Sequence, residues 1–237
     1  VAHSSALIDN KLYFSGGIKF NGINTNEFFY LDVSKLFTTT DNDSMPWVDL
    51  TYTGGPFKVD ATACIGGKHN DMIFIFGGIS HTIGDLFANQ SFINQFDTNK
   101  QQWSNITSIG NVPTNRAGIS CANFDNGLIA IFSGASNSTL SDLWILNATT
   151  FRTFQWSKGN ILNPIEDLAL AGHTATLVDN YMLVAYGGFP NHSFSSKIFM
   201  LDVSRNDSYK WVTEFSANTT TTPIEGSSVE HSYIGCS

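Results

Sequence analysis

The sequence predicts an all-β fold of repeated four-stranded blades, the arrangement of a β-propeller, and two observations support this prediction. An apolar run ends at a small, glycine-rich step four times, and the first glycines of the steps (Gly16, Gly77, Gly134 and Gly187) lie 61, 57 and 53 residues apart. Each run also follows a short turn and precedes another strand-like segment and a tryptophan. A period near fifty residues, with several short strands in each unit, is typical of propeller blades.

Each unit divides into four predicted strands. The first strands begin at His3, Ala61, Gly118 and His173, and tight turns rich in Asp and Asn lead into the apolar second strands. Because the second strands are apolar at nearly every position, we expect them to be buried on both faces, between neighbouring blades. The fourth strands begin at Trp47, Trp103, Trp156 and Trp211. The predicted blades span about residues 1–57, 58–114, 115–168 and 169–216 of a single domain.

The composition limits the function classes. The chain has 237 residues, of which 42% are hydrophobic and 14% are charged, so it can bury a large core and is not a disordered segment. Its longest apolar runs have about five residues, far fewer than the ~20 needed to cross a bilayer, so no membrane span is predicted in this segment. The net charge of −8 and the scattered basic residues argue against nucleic acid as a partner.

The order of the features in each unit resembles a known repeat. In the second unit the glycine pair Gly77-Gly78 is followed by Phe96-Asp97 and then by Trp103. This order resembles the kelch repeat of β-propellers, and the segments 29–35 and 47–51 are similar to fungal kelch proteins of the galactose oxidase-like type. The third unit departs from the pattern, since it has Ser133-Gly134-Ala135 in place of the glycine pair. The resemblance implies a kelch-type β-propeller.

The repeated glycines and tryptophans are predicted to be structural. We expect the second glycine of each step to lie where no side chain fits or where φ is positive, and the tryptophans to pack between blades. The structural glycines are Gly16, Gly17, Gly77, Gly78, Gly134, Gly187 and Gly188, and the structural tryptophans are Trp47, Trp103, Trp156 and Trp211.

The last part of the sequence, residues 217–237, is predicted to contain a linker and the start of a further blade. Its segment 229–234 resembles the opening of the first blade at 3–7. The prediction is therefore four blades plus the first strand of a fifth, in a fragment of a larger propeller. The alternative is a compact four-bladed ring with the last segment packed on its side.

Two groups of loops are predicted to emerge on one face of the propeller, because each blade has four antiparallel strands. These are the loops between the second and third strands and the connections between blades, and loops on a rigid scaffold often carry recognition. The candidate partner-binding rim consists of His81, Phe87, Phe189, His192 and Phe194. Its phenylalanines either anchor a partner or fold back on the rim.

The histidines and cysteines do not form a catalytic or metal-binding motif in the sequence. His3, His173 and His231 recur at one repeat position, which favours a structural role over a ring of imidazoles that binds a metal. Cys64 and Cys121 are aligned at the same position of neighbouring blades and are predicted to be small buried residues. A disulfide between them would need Cα atoms within about 7 Å, which adjacent blades seldom offer. No catalytic residue, cofactor or metal site is therefore predicted.

Sequons for N-glycosylation are frequent. They occur at Asn42, Asn89, Asn105, Asn137, Asn147, Asn191, Asn206 and Asn218, mostly in predicted loops. With the low lysine content, they favour a secreted or cell-surface protein, with a cytoplasmic protein as the alternative.

Three functions remain. The first is a non-enzymatic propeller that binds a protein partner through the loops of one face, which is what the kelch resemblance implies. The second is a galactose oxidase-like copper-radical oxidase whose catalytic residues lie outside this segment. The third is a glycan-binding propeller that contacts sugars through Trp, Phe and Asn.

Overall fold

The computed structural model describes residues 1–40, 44–79, 91–106, 108–109, 111–124, 126–149, 154–166, 168–188 and 193–212. Within these ranges the strands, named in chain order, are β1 Ser4–Ile8, β2 Lys11–Ser15, β3 Phe28–Asp32, β4 Trp47–Asp49, β5 Val59–Gly66, β6 Met72–Ile79, β7 Ile93–Asp97, β8 Gln102–Asn105, β9 Ser108–Ile109, β10 Ser120–Asn123, β11 Leu128–Phe132, β12 Leu143–Asn147, β13 Phe154–Lys158, β14 Thr174–Val178, β15 Tyr181–Ala185, β16 Ile198–Asp202 and β17 Lys210–Val212. A 3-10 turn follows β4 at Thr51–Thr53. No helix in the described ranges is long and apolar enough to cross a membrane.

The strands form four antiparallel sheets in chain order, β1–β4, β5–β8, β10–β13 and β14–β17. This confirms the prediction of repeated four-stranded blades. The first strands of consecutive blades contact one another, so β1, β5, β10 and β14 are the inner strands. The short strand β9, which the sequence did not predict, belongs to the connection from the second to the third blade and pairs in parallel with β13. The connection thereby covers the outer edge of the third blade, which would otherwise be an open sheet edge.

A ladder of backbone hydrogen bonds joins the blades at or just before the start of their inner strands. The N–H of Asp60 donates to the carbonyl of Ala2, that of Gly118 to Asp60, and that of Gly172 to Gly118, over 3.1, 2.9 and 2.8 Å. All four residues have positive φ, of 56, 54, 61 and 68° in chain order. They therefore occupy one repeat position with a left-handed backbone, and each blade is tied to the next at that position.

The cores lie between the blades. We call the face of a blade that looks toward the next blade in the chain its following face, and the opposite face its preceding face. In the second blade, Phe74 and Phe76 lie on the following face and pack against the third blade, whereas Ile73 and Ile75 lie on the preceding face and pack against the first. The second strand β6 is thus buried on both faces, because each face belongs to a different core.

Three of the repeated tryptophans lie on preceding faces and contact the blade before their own. The ring of Trp103 lies 4.9 Å from that of Phe28, Trp156 lies 5.9 Å from Phe76, and Trp211 lies 5.4 Å from Phe132, as centroid distances. Each tryptophan thus packs in an inter-blade core. Trp47 has the same position in the first blade, but 42% of its surface is exposed.

Cys64 and Cys121 are buried, as predicted, but the expectation that they form no disulfide was wrong, because a disulfide joins them with their Cα atoms 6.2 Å apart. They do not share a repeat position. The strand pairings align Cys64 with Ala122 and Cys121 with Ala63, one residue earlier. Because side chains alternate between the faces of a strand, Cys64 points to the following face of its blade and Cys121 to the preceding face of the next. The two side chains therefore meet across the interface.

The same one-residue shift changes the assignment of the glycine steps. In the third and fourth blades the two step positions are Ser133-Gly134 and Tyr186-Gly187, and Ser133 and Tyr186 have φ of 58 and 63°. Gly134 and Gly187 thus correspond to the second glycine of the first two blades. Gly188 lies one residue beyond the step, pairs with Ala171 in a bridge, and has room for a side chain. The alignment of Gly187-Gly188 as a pair was therefore wrong by one residue.

The predicted linker and fifth-blade strand, residues 217–237, lie outside the described residues.

Candidate functional site

The second residue of each glycine step forms backbone hydrogen bonds at the base of the loops that were predicted to carry recognition. Gly17 donates to the carbonyl of Lys58 in the connection to the next blade, over 2.8 Å, and its own carbonyl accepts from Thr25 at the end of the β2–β3 loop, over 3.0 Å. Gly134 makes the equivalent bonds to Leu170 and Leu140. A Cβ on Gly17 would lie 2.5 Å from the carbonyl oxygen of Val1, and φ there is 97°. A glycine is therefore required where loop, blade and connection meet.

Exposed apolar side chains lie on this loop face. Phe194 ends the β15–β16 loop and is 85% exposed, and Phe20 in the β2–β3 loop is fully exposed. The two loops have equal length, since bridges close them between Ile18 and Asn24 and between Gly188 and Phe194. Such side chains are the kind of anchor that a partner surface can bury.

The predicted rim falls only partly within the described residues. Phe194 is exposed as a partner-binding anchor would be, whereas His81, Phe87, Phe189 and His192 lie outside the described residues. The sequence reasoning missed Phe20. Its loop belongs to the predicted face, but Phe20 lies between the polar residues Lys19 and Asn21, so the sequence alone does not single it out.

A buried cation supports the base of the β11–β12 loop. Arg116 is only 1% exposed, and its guanidinium donates to both carboxylate oxygens of Asp142, over 2.5 and 3.3 Å. It also donates to the carbonyl of Ser133, while Asp142 accepts a bond of 2.6 Å from the indole N–H of Trp144. Burial acts to raise the pKa of Asp142, but the bonds from Arg116 and Trp144 and the arginine charge outweigh it and lower that pKa.

Lys58 takes the equivalent position in the second blade. Its side chain is 3% exposed, and its Nζ donates to the carbonyls of Ser91 and Phe92, over 2.8 and 3.3 Å. Burial lowers the pKa of Lys58 to about 7. The side chains of Lys58 and Arg116 thus both bind residues just before the third strand of their own blade, β7 and β12, where the loop between the second and third strands ends.

His173 shows that the recurrent histidine position is buried in the fourth blade. The side chain is 5% exposed, and its ring lies 5.9 Å from that of Phe132, edge to face. Burial lowers the pKa of His173 to about 4, and the nearby backbone of Phe132 only partly offsets this shift. Neither ring nitrogen has a hydrogen-bond partner of good geometry. His3 is instead exposed beside Phe14, at 5.4 Å, and His231 lies outside the described residues.

No group of three or more His, Cys, Asp or Glu residues in the described part of the chain is arranged to hold a metal ion. Among the groups considered above, the buried cations and the buried imidazole each contact their own blade or its neighbour.

The described sequon residues lie at strand ends and in loops. Asn137 is exposed in the β11–β12 loop, Asn147 ends β12, Asn206 is exposed in the β16–β17 turn, and Asn105 ends β8. Asn206 lines a cleft of about 220 Å³ between the third and fourth blades, where its Oδ1 accepts from Asn126 over 2.6 Å. Asn42, Asn89, Asn191 and Asn218 lie outside the described residues.

Comparison with known families and structures agrees with this architecture. The family model described as the KLHDC2/KLHL20/DRC7 Kelch-repeats domain matches residues 61–234. The chain belongs to the kelch-repeat family. Kelch repeats generally mediate protein binding, so the loop face described above is the candidate functional site.

Two individual proteins are similar to this chain. The acyl-CoA-binding domain-containing protein 5 of Arabidopsis thaliana is 27% identical over 178 residues, which cover 72% of this chain but 25% of that protein. The chain thus spans about a quarter of that relative's length. The solved structure of YjhT is 18% identical and superposes with a TM-score of 0.62, covering 88% of this chain and 69% of YjhT. This second similarity concerns the fold alone.

Proposed function

We propose that this chain is a non-enzymatic kelch-repeat scaffold that binds a protein partner through the loop face. The observation that carries the proposal is the pair of exposed phenylalanines, Phe20 and Phe194, held on equivalent loops whose bases are fixed by the step glycines. Anchors on a rigid base lose little conformational freedom on binding, so their burial contributes to affinity with a small entropic cost.

The test compares partner capture by three forms of the chain. Phe20→Asp/Phe194→Asp removes both anchors, and Leu36→Asp is the matched control, because Leu36 is fully exposed in the turn between β3 and β4, on the opposite face. We expect the wild type and the Leu36 variant to capture the same proteins, and we expect the double variant not to capture them. Equal binding by all three forms would contradict the proposal.

A glycan array with the same three forms tests the glycan-binding alternative. If the wild type and the Leu36 variant bound a defined carbohydrate and the double variant did not, the partner of the loop face would be a glycan rather than a protein. The prediction from the protein-scaffold proposal is that no carbohydrate shows this pattern.

We also propose that the protein is secreted or displayed at the cell surface. The Cys64–Cys121 disulfide supports this, because disulfides persist in oxidising compartments and are rare in the cytosol. The sequons at exposed Asn137 and Asn206 support it independently. Expression through the secretory route of a eukaryotic host should give a mass that falls on treatment with an N-glycosidase. A bare polypeptide mass with free thiols at Cys64 and Cys121 would contradict the proposal.

The copper-radical oxidase alternative requires a cysteine crosslinked to a tyrosine. The disulfide occupies Cys64 and Cys121, so neither is available for that crosslink, and the alternative would depend on Cys236 or on residues beyond this segment. The disulfide therefore removes Cys64 and Cys121 as candidates for that crosslink.

A further inference from the structure

A histidine occupies a position between the third and fourth blades where the blade before has an aliphatic side chain. The second step glycines fix this correspondence, because a Cβ on Gly134 would contact Ile119 and a Cβ on Gly187 would contact His173. Ile119 is buried in the apolar core between the second and third blades. His173 is buried in the same way on the preceding face of the fourth blade, against Phe132 of the third. The imidazole therefore takes the place of an isoleucine in an inter-blade core.

The surroundings of His173 suit a neutral ring and not a charged one. Both ring nitrogens are buried without a hydrogen-bond partner, and the ring meets Phe132 edge to face. Trp211 packs against the same phenylalanine, with ring centroids 5.4 Å apart. A proton added to the imidazole would place a charge in this apolar core with no group to receive it. Burial accordingly lowers the pKa of His173 to about 4.

The interface that contains His173 is less restrained than the interface before it. The Cys64–Cys121 disulfide joins the inner strands of the second and third blades. At the two equivalent positions the third and fourth blades have Ala122 and Ala175. The inner strands β10 and β14 are joined there by a hydrogen bond of 2.8 Å from the N–H of Ala175 to the Oγ of Ser120. A charge at His173 therefore acts on an interface that has no covalent bond at these positions.

His173 also lies at the base of the β15–β16 loop. A Cβ on Gly187 would be 2.9 Å from the Cβ of His173, so the backbones of the two residues are in close contact. The carbonyl of Gly187 accepts a hydrogen bond of 2.9 Å from the N–H of Ser195, which follows Phe194 at the end of that loop. A displacement of His173 would therefore disturb the base of the loop that carries Phe194.

We propose that His173 is an acid-sensitive latch between the third and fourth blades. When the pH falls, protonation of His173 separates these two blades and frees the base of the β15–β16 loop, while the disulfide keeps the second and third blades together. Histidine suits this role because its charge changes near neutral pH, and protonation of buried histidines separates interfaces in pH sensors. The inference concerns the contact between the blades and does not depend on what the loop face binds.

The other charged and titratable groups near the latch do not replace His173 in this role. Arg116 donates to the carbonyl of Ser133, next to Phe132, and is paired with Asp142. Arg116 stays charged in proteins, and the lowered pKa of Asp142 keeps its carboxylate ionised in mild acid. Among the described residues of the other elements around His173, such groups are Glu166 and Lys197, exposed at the loop end, and Tyr181, Asp202, Tyr209 and Lys210, at the opposite end of the strands. All of them are present in a His173 variant as well, so their contributions cancel when the wild type and the variant are compared.

Urea unfolding of the wild type, His173→Ile and His69→Gln over a range of pH tests the latch. Isoleucine is the residue that the third blade has at this position, and His69 is exposed in a turn, which makes its variant the control. Below pH 6.5 the unfolded chain binds a proton that the fold excludes until the pH reaches about 4. The wild type should therefore lose stability relative to His173→Ile, by at most about tenfold in the unfolding equilibrium constant per pH unit, and His69→Gln should follow the wild type. The same pH dependence in all three would overturn the proposal, and His173→Gln gives the same comparison if the isoleucine variant does not fold.

Hydrogen exchange at about pH 5 shows where the protein opens. The amides of β14 to β16 should exchange several-fold faster in the wild type than in His173→Ile at the same pH, because a separated blade loses the protection of its neighbour. The amides of β5 to β8, in the second blade, should exchange equally in the two proteins. A change of the same size in all blades would show a general loss of stability, and no change would show that the interface stays closed, so either result would overturn the latch.

Nuclear magnetic resonance of the wild-type imidazoles gives a readout that needs no substitution. The ring of His173 should be neutral in the folded protein at about pH 5.5, because burial lowers its pKa to about 4. A ring that is protonated at this pH while the amides of β14 remain protected would overturn the proposal, since the interface would then accommodate the charge.

Discussion

Lys58 and Arg116 occupy the same position of two consecutive blades, and only Arg116 faces a carboxylate. The backbone carbonyls of Lys58 and Arg116 accept from the second step glycine of the blade before, Gly17 and Gly78 respectively, which fixes the correspondence. Arg116 forms a two-point pair with Asp142, whereas Lys58 is bound by two backbone carbonyls. An arginine stays charged in proteins and suits a carboxylate, while a buried lysine readily loses its proton. The two residues therefore stabilise the loop bases in different ways.

Arg116→Met should destabilise the fold by about 3 kcal/mol, because it leaves the partly buried carboxylate of Asp142 without its cation. Arg116→Met/Asp142→Asn should be less destabilised than Arg116→Met alone, since the amide oxygen still accepts from Trp144 and no charge is left unpaired. Urea unfolding measures both. Arg205→Met, at an exposed ion pair, is the control and should change stability little. A cost for Arg116→Met no larger than that of the control would contradict the prediction.

Lys58 should make stability depend on pH between about 7 and 10.5. Burial lowers its pKa to about 7 in the folded state from 10.5 in the unfolded chain, so in this window the unfolded chain binds a proton that the folded state does not. The free energy of unfolding therefore rises with pH through the window and is flat below it, with a slope of at most about 1.4 kcal/mol per pH unit.

Lys58→Met removes the titrating group and gives the comparison for this pH dependence. The difference in unfolding free energy between the wild type and this variant should grow in favour of the wild type from pH 7 to 10. Measurements in a Cys236→Ser background avoid thiol exchange at alkaline pH. A difference that is constant over this range would show that Lys58 keeps its proton in the fold.

The Cys64–Cys121 disulfide should contribute about 3 to 4 kcal/mol of stability, because it closes a separation of 57 residues in the unfolded chain. Cys64→Ala/Cys121→Ala should show this loss in urea unfolding, and reduction of the wild type should reproduce it. Cys236→Ser is the matched control and should unfold as the wild type does. If Cys64→Ala/Cys121→Ala and the wild type unfolded at the same urea midpoint, the result would indicate that the disulfide does not form in the protein.

The sequence predicted the repeated strands because the apolar second strands and the tryptophans are properties of single segments. It did not predict which residues meet across the blades. Cys64 and Cys121 each lie 13 residues before the first glycine of a run, Gly77 and Gly134. Because Ser133 takes the first step position in the third blade, that count was one residue off, and one residue reverses the face of a strand. Ser133 thus concealed the disulfide, and Tyr186, which takes the first step position of the fourth blade, concealed the true step there.

The candidate site was predictable in part. The antiparallel meander predicts the loop face, and the apolar loop sequence predicts that Phe194 lies on it, where it is exposed; its role in partner binding stays a prediction. Phe20 was not, since exposure of a single phenylalanine among polar residues depends on how its loop folds. The buried cations were not predicted either, because Lys58 and Arg116 resemble ordinary loop residues until the carbonyls and the carboxylate around them are placed.

The left-handed backbone at the ladder position predicts that Asp60→Gly and Gly118→Asp, in two consecutive blades, change the stability of the fold differently. Asp60 and Gly118 have φ of 54 and 61°, and a side chain at such φ costs about 1–2 kcal/mol, less for Asp than for most residues. Asp60→Gly relieves this strain at an exposed site. Glycine also raises the conformational entropy of the unfolded chain, which opposes the gain. The free energy of unfolding should therefore stay equal or rise by up to about 1 kcal/mol. Gly118→Asp adds the strain and places a Cβ 2.9 Å from the Gly172 nitrogen, so it should cost about 2 kcal/mol or more. Thermal and urea unfolding of both variants measure the asymmetry, and equal losses in the two would mean that the blades do not share this backbone position.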